Sequence, residues 1–161
     1  MNECKTRREF LGAGSIAVPA AVLLGGAAAA DAAADTLQDR RAISGRPGAS
    51  FSRAVAFDRI AFVSGVIAKK PGARGLVSPD FELQCRQVLE NLKASVEAAG
   101  SNLSLVLKCG CFLTDVEDFP AFNRMFAEFF PSDPPARSTV VVKELVAAGA
   151  KLEVDCVTCL P

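Results

Sequence analysis

The sequence predicts an α+β fold in which two helices pack on one face of a mixed β-sheet. Five short segments are rich in alternating or β-branched apolar residues, as strands are. Two longer segments repeat apolar residues every three or four positions, as amphipathic helices do. Their order along the chain is β-β-α-β-α-β-β, and 161 residues are enough for a single domain with a substantial core.

The first two strands are predicted at residues 54–57 and 60–67, joined by a hairpin turn at Asp58 and Arg59. Proline and glycine then mark residues 69–75 as a loop.

The first helix is predicted to begin at Pro79-Asp80 and to end at Gly100, since glycine commonly terminates helices. Charged residues separate its apolar positions, which define an inward face. Those positions are Phe81, Cys85, Val88, Leu92, Val96 and Ala99.

The third strand is predicted at residues 105–113, and a second helix follows it. On the strand, one face is predicted to carry Leu107, Cys109, Cys111 and Leu113. Asp118 is predicted to cap the helix, with Pro120 in its first turn and Pro131 at its end. The helix carries an aromatic stripe that we interpret as core: Phe119, Phe122, Phe126, Phe129 and Phe130.

The last two strands are predicted at residues 138–144 and 152–158. With both helices on one face, the other face of the sheet is left uncovered. Sheet faces that carry Val and Ile rarely stay in water, so we expect the chain to self-associate.

The composition excludes several kinds of site. The chain has no His, Trp or Tyr, and its 18 basic residues balance its 18 acidic ones. Acid–base chemistry must therefore come from Asp, Glu, Lys, Cys, backbone groups or water. The sequence has no Walker-type loop, no Gly-x-Gly-x-x-Gly and no basic cluster typical of a nucleic-acid surface. We expect no cofactor, no metal and no nucleic-acid partner.

The N-terminus has the pattern of a bacterial twin-arginine export signal. Arg7 and Arg8 precede an uncharged run, residues 12–30, that is rich in Ala and Gly. Small residues between 28 and 34 offer Ala-x-Ala cleavage sites, although a run of this length could also anchor the chain in a membrane. We predict a signal peptide and cleavage region at residues 1–34, export by the twin-arginine translocase to the periplasm or medium, and no permanent membrane span.

One arginine is presented at the start of a predicted strand. Pro134 and Pro135 stiffen the backbone just before Arg137, and a β-branched run begins at Thr139. A guanidinium held in this way suits binding a carboxylate through two parallel hydrogen bonds. The alternative is an ordinary surface arginine.

Several segments between residues 45 and 161 agree with one family in order and spacing. They are Phe62-Val63-Ser64-Gly65, Gln87 to Lys93, Glu97 to Gly100, Phe112 to Asp115, Phe119 with Asn123, Phe129-Phe130, and Pro135 to Thr139. With these segments the domain at residues 45–161 resembles the YjgF-type reactive-intermediate deaminase (Rid) family. The resemblance implies a chorismate-mutase-like fold, a homotrimer with clefts between subunits, and hydrolysis of small 2-imino or enamine acids to 2-keto acids and ammonia without a cofactor.

The resemblance also implies site residues at matching positions. Arg137 would hold the substrate carboxylate, and Ser64 and Gly65 match the Ser-Gly of the cleft wall. Asn123 matches an Asn that lines the cleft, although a local helix-face hydrogen bond is equally consistent with it. The carbonyl of Thr139 could hold a water.

Asp155 stands where the family's final strand carries a Glu that positions the hydrolytic water, although it could instead pair with a cation across the sheet. Three further positions depart from the family pattern. Phe51 replaces a Tyr of the substrate cleft, and Arg53 and Val66 replace Gln residues. Asp155 is also one methylene shorter than Glu, and small errors in placing a catalytic group can be costly. Three functions remain open: an exported imine deaminase, a non-catalytic trimeric protein that binds small carboxylates, and a cysteine-based redox or metal protein.

The chain has six cysteines, which is unusual for this family. Cys109 and Cys111 are predicted to lie about 6.6 Å apart on one strand face, near the upper limit for a disulfide. Cys156 and Cys159 would be about 10 Å apart along a strand and could be bridged only if the chain turned after Thr158. We interpret Cys109, Cys111 and Cys156 as small buried hydrophobes, with a zinc site as the alternative.

Overall fold

The computed structural model describes residues 39–43 and 48–161. The predicted signal segment, residues 1–34, lies outside that part of the chain. Within it the strands are β1 Arg41–Ile43, β2 Ala54–Phe57, β3 Ile60–Val66, β4 Val106–Leu113, β5 Ala136–Val141 and β6 Leu152–Cys159. The α-helices are α1 Phe81–Ala98 and α2 Phe119–Phe129, and short 3-10 turns at Leu103–Leu105 and Val116–Asp118 precede β4 and α2.

The strands form one mixed sheet in the order β1-β2-β3-β6-β4-β5. Strands β4 and β5 run parallel, and the other neighbouring strands are antiparallel. Along β6, buried residues alternate with half-exposed ones, so one face of the sheet is covered and the other is not. The α+β class, the mixed sheet and both helices are therefore confirmed.

The core lies between the covered sheet face and the helices. From α1 it takes Val88, Leu89 and Leu92, and from α2 it takes Phe122, all inaccessible to solvent. The buried Gln84 also ties α1 to the segment before β6. Its amide donates to the carbonyls of Ser78 and Gly149 and accepts from the backbone N–H of Lys151.

The first helix has the predicted ends. The carboxylate of Asp80 accepts the backbone N–H of Leu83 at 2.9 Å, which is an N-cap. Gly100 follows the helix with φ of +90°, a conformation that glycine adopts at little cost. The hairpin turn is also where the sequence predicts it, with Asp58 at φ of +51°.

Two predictions about the third strand and second helix are wrong. Leu107 is 48 % exposed because the register between β4 and β6 shifts between Val106 and Lys108, so Val106 is buried in its place. Asp118 does not cap α2 with its side chain, since its backbone is already helical. Its Oδ2 is buried without a hydrogen-bond partner, and burial raises the pKa of Asp118.

Strand boundaries differ modestly from the prediction. Strand β1 was not predicted, and β5 begins at Ala136 and ends at Val141 rather than covering residues 138–144.

Among the described residues, no helix combines the length and apolar character needed to cross a membrane.

Candidate functional site

Arg137 is the second residue of β5 and lies beside Cys109 on the covered face of the sheet. Its guanidinium carbon is 4.7 Å and 5.0 Å from the ring centroids of Phe126 and Phe122 on α2. One terminal nitrogen also donates a hydrogen bond to Oδ1 of Asn123, on the same helix. The aromatic faces and the amide together restrict the orientation of this half-buried cation.

No carboxylate of the described residues forms an ion pair with Arg137. The pairs found there are Arg86–Glu128, Lys93–Glu97 and Arg124–Glu82, all on the helices. The remaining donors of Arg137 are thus not engaged by an acidic partner from residues 39–43 and 48–161. A guanidinium in this state can bind the carboxylate of a ligand through two hydrogen bonds.

Ser64, Gly65 and Phe51 lie together in the wall of a cavity of about 670 Å³. A bulge between Val63 and Val66 gives β3 one extra residue at this point. The hydroxyl of Ser64 donates to the carbonyl of Ser52 at 2.8 Å, which fixes its position and leaves its lone pairs able to accept.

Glu153, on β6, lies beside Gly65, and the sequence analysis did not identify it. A methyl group added at Gly65 would collide with the carboxylate of Glu153, so the glycine makes room for the acid. Burial raises the pKa of Glu153, and the negative charge of Asp155 raises it further. The signal that could have found it is its spacing, because residues two apart on a strand share a face.

Asp155 occupies a different position on the same uncovered face. It lies opposite Gly110 of β4, whose backbone N–H donates to Oδ1 of Asp155 at 3.1 Å. A Cβ at Gly110 would be only 2.6 Å from that oxygen. The role of Asp155 as the water-positioning group stays a prediction, and Glu153 is the acid that lies beside Gly65.

The predicted site residues fall into two groups within one chain. Thr139 lies opposite Cys111 on the covered face, on the same strand and face as Arg137. Strand β3 carries Ser64 and Gly65 and is three strand positions from β5 in the sheet, which corresponds to about 14 Å. Since Glu153 lies on the uncovered face, one chain does not bring Arg137 and Glu153 to the same point.

The buried cysteines behave as small hydrophobes, as predicted. Cys109, Cys111 and Cys156 are almost inaccessible to solvent and belong to the core. Burial raises the pKa of Cys111 and Cys156 to about 12 and that of Cys109 further, so these thiols stay protonated. The register also pairs Cys109 with Cys156, a neighbourhood that spacing alone did not indicate. In the described part of the chain, no three Cys, Asp or Glu residues cluster as a metal site would require.

Comparison with known proteins decides the family. A family model described as Endoribonuclease L-PSP matches residues 42–160. The chain belongs to this family. The predicted resemblance to the YjgF-type Rid proteins is confirmed at that level.

Individual relatives of the family match at about one third identity. Protein DfrA of Myxococcus xanthus is 39 % identical over 109 residues, covering 66 % of this chain and 82 % of DfrA. A 2-iminobutanoate/2-iminopropanoate deaminase of Dermatophagoides farinae is 36 % identical over 110 residues, covering 68 % and 85 %. The crystal structure of RidA from the Antarctic bacterium Psychrobacter sp. PAMC 21119 has a TM-score of 0.69 and 31 % identity, covering 75 % of this chain and 100 % of RidA.

Proposed function

We propose that the protein hydrolyses small 2-imino or enamine carboxylic acids to 2-keto acids and ammonia. The observation that carries the proposal is Arg137, a half-buried guanidinium held by aromatic rings and Asn123, with no acidic partner among the described residues. A small carboxylate is the ligand that this arrangement suits best. Family membership and the deaminase of Dermatophagoides farinae support the same reaction class.

The reaction requires only that the substrate and a water be positioned and that the C=N group be polarised. Water adds to the carbon of the C=N group, the nitrogen takes up protons, and ammonia leaves as the C=O group forms. Arg137 would hold the carboxylate, and Ser64 with the backbone at Gly65 would line the reacting carbon. Glu153 would accept a hydrogen bond from the attacking water, which requires its ionised form. In this assignment the role of Asp155 is to raise the pKa of Glu153 through its negative charge.

The active form would be the homotrimer that the family resemblance implies, and Arg137 and Glu153, which lie on opposite faces of one sheet, would then come from different subunits. The open sheet face supports association, since large apolar side chains are exposed there. They include Phe57, Ile60, Phe62 and Val140. The leader at residues 1–34 supports export through the twin-arginine translocase, with the mature protein in the periplasm.

A coupled assay tests the reaction directly. An amino-acid oxidase generates the imine, and the release of ammonia and keto acid is followed with and without the protein. We expect Arg137→Lys to reduce kcat/KM at least tenfold, because lysine keeps the charge but loses the two-pronged geometry. The matched control is Arg124→Lys, which alters an exposed pair between Arg124 on α2 and Glu82 on α1 and should stay within about twofold.

Two results would contradict parts of this proposal. Wild-type rates in Arg137→Lys would remove that residue from the mechanism. A wild-type protein that binds a 2-keto acid but does not accelerate imine hydrolysis would instead be the non-catalytic carboxylate-binding trimer.

A further inference from the structure

The cavity beside Ser64 carries positive charge that the proposed reaction does not use. Arg53 and Lys69 line it, and none of the described residues that line it is acidic. An adjoining cavity of about 530 Å³ is lined by Lys69 again, together with Lys70 and Arg74. A ligand in the main cavity would therefore meet cations at more than one point of the wall.

The backbone that carries both lining cations is held by hydrogen bonds. The N–H of Arg53 donates to the carbonyl of Ile43 at 2.9 Å, and the carbonyl of Arg53 accepts from Ser64 at 3.0 Å. The side-chain amide of Asn91 donates to the carbonyl of Lys69 at 2.9 Å. Because the backbone is held there, an anion that binds these side chains need not order the main chain as well.

Neither cation forms an ion pair with a described residue. The three ion pairs of residues 39–43 and 48–161 all join side chains of α1 or α2. The charges of Arg53 and Lys69 are thus not neutralised by an acidic side chain of the described residues. Arg53 also stands where the family pattern has a neutral Gln, so this charge distinguishes the chain from that pattern.

We propose that the cavity binds a second carboxylate, which makes 2-imino dicarboxylic acids the preferred substrates. This inference rests on the proposed function. The C=N carbon would lie at the wall formed by Ser64 and Gly65, the carboxylate next to it on Arg137, and the side-chain carboxylate on Arg53 and Lys69. One water is consumed, and a 2-keto dicarboxylate and ammonia are released with no change of oxidation state. The reaction that supplies such a substrate is the oxidation of an acidic amino acid.

The test compares an imine from glutamate with one from alanine, each made in place by a flavin-dependent amino-acid oxidase. We expect the wild type to show at least tenfold higher kcat/KM for the dicarboxylic imine. Arg53→Gln and Lys69→Gln should each lower the ratio of the two kcat/KM values about tenfold, as the loss of a charge-assisted contact does. The control Lys93→Gln removes an exposed helix charge paired with Glu97 and should keep the wild-type ratio.

A binding measurement keeps the two proposals distinguishable. Calorimetry with 2-oxoglutarate and with pyruvate should show at least tenfold tighter binding of the dicarboxylate, lost in Arg53→Gln. If no imine is hydrolysed, the proposed function fails, and this binding ratio alone decides the second subsite. Equal binding of the two keto acids, or variants that leave both ratios unchanged, would overturn the second subsite even in an active deaminase.

Discussion

Two carboxylates, two residues apart on β6, have separate surroundings on the uncovered face. Glu153 contacts the wall at Gly65, whereas Asp155 accepts the N–H of Gly110. A Cβ at either glycine would overlap the acid in its present position, so the carboxylate side chain would have to move. The pair therefore allows Glu153 to act on water while the charge of Asp155 raises the pKa of Glu153.

The pKa of Glu153 provides a test of these roles. Burial and then Asp155 raise that pKa above its ordinary 4.5. If ionised Glu153 accepts from the water, kcat/KM should fall as the pH drops through this raised pKa. Asp155→Asn removes one of the two causes, so we expect the acid limb to move to lower pH while turnover at pH 8 largely persists. The measurement is a pH–rate profile of wild type, Asp155→Asn and Glu153→Gln.

Glu153→Gln should lose most turnover at every pH and show no acid limb from this group. If Asp155 holds the water instead, Asp155→Asn loses turnover at pH 8, and Asp155→Glu should gain it. That result would return the catalytic role to the residue that the sequence resemblance indicated.

At the scale of elements, α2 serves β5 as a support for Arg137. Its rings Phe122 and Phe126 face the guanidinium, and Phe126 also stacks on Phe130 at 4.5 Å. Within the aromatic stripe, Phe122, Phe126 and Phe130 are buried as predicted. Phe129 is half-buried and Phe119 is 36 % exposed, so the prediction that all five form the core is wrong at Phe119. The outer edge of the stripe also orients the guanidinium of Arg137.

Phe126→Leu should therefore raise KM about three- to tenfold, the range that loss of a cation–π contact supports, because Arg137 becomes less restrained. Phe130→Leu is the matched control, since it removes a ring from the same stack on the side away from the guanidinium. Steady-state kinetics together with thermal melts separates the effect on KM from the effect on stability. Both variants should lose similar stability. An equal rise in KM in both would show that substrate binding depends on the stability of the helix and not on the contact between the Phe126 ring and Arg137.

Local patterns predicted most of these elements, and pairing between distant segments accounts for the errors. The hairpin and both helices follow from apolar period and turn residues within a few positions. The exposure of Leu107 depends on a register shift against β6, which no local pattern contains. Strand β1 has only three residues and too little alternation to be recognised. Spacing places Glu153 on the same strand face as Asp155, but its position beside Gly65 emerges only when β6 is paired with β3.

At the scale of the whole molecule, the candidate site is divided between the two faces of one sheet. Arg137 lies on the covered face of β5, and Glu153 lies on the open face of β6, where it contacts Gly65. A catalytic unit that needs both must combine one subunit's Arg137 with another subunit's Glu153. The exposed apolar side chains of the open face make a closed homo-oligomer the natural way to achieve this.

Subunit mixing tests this arrangement. Arg137→Lys and Glu153→Gln are each expected to be nearly inactive alone. When they are co-refolded in equal amounts as a trimer, about one quarter of the interfaces should combine an intact Arg137 with an intact Glu153, because each cleft draws on two independently chosen subunits. We therefore expect activity near one quarter of wild type, with light scattering giving three times the subunit mass. If both residues of a site come from the same subunit, mixing restores nothing, and a monomer mass at micromolar concentration would exclude the shared site altogether.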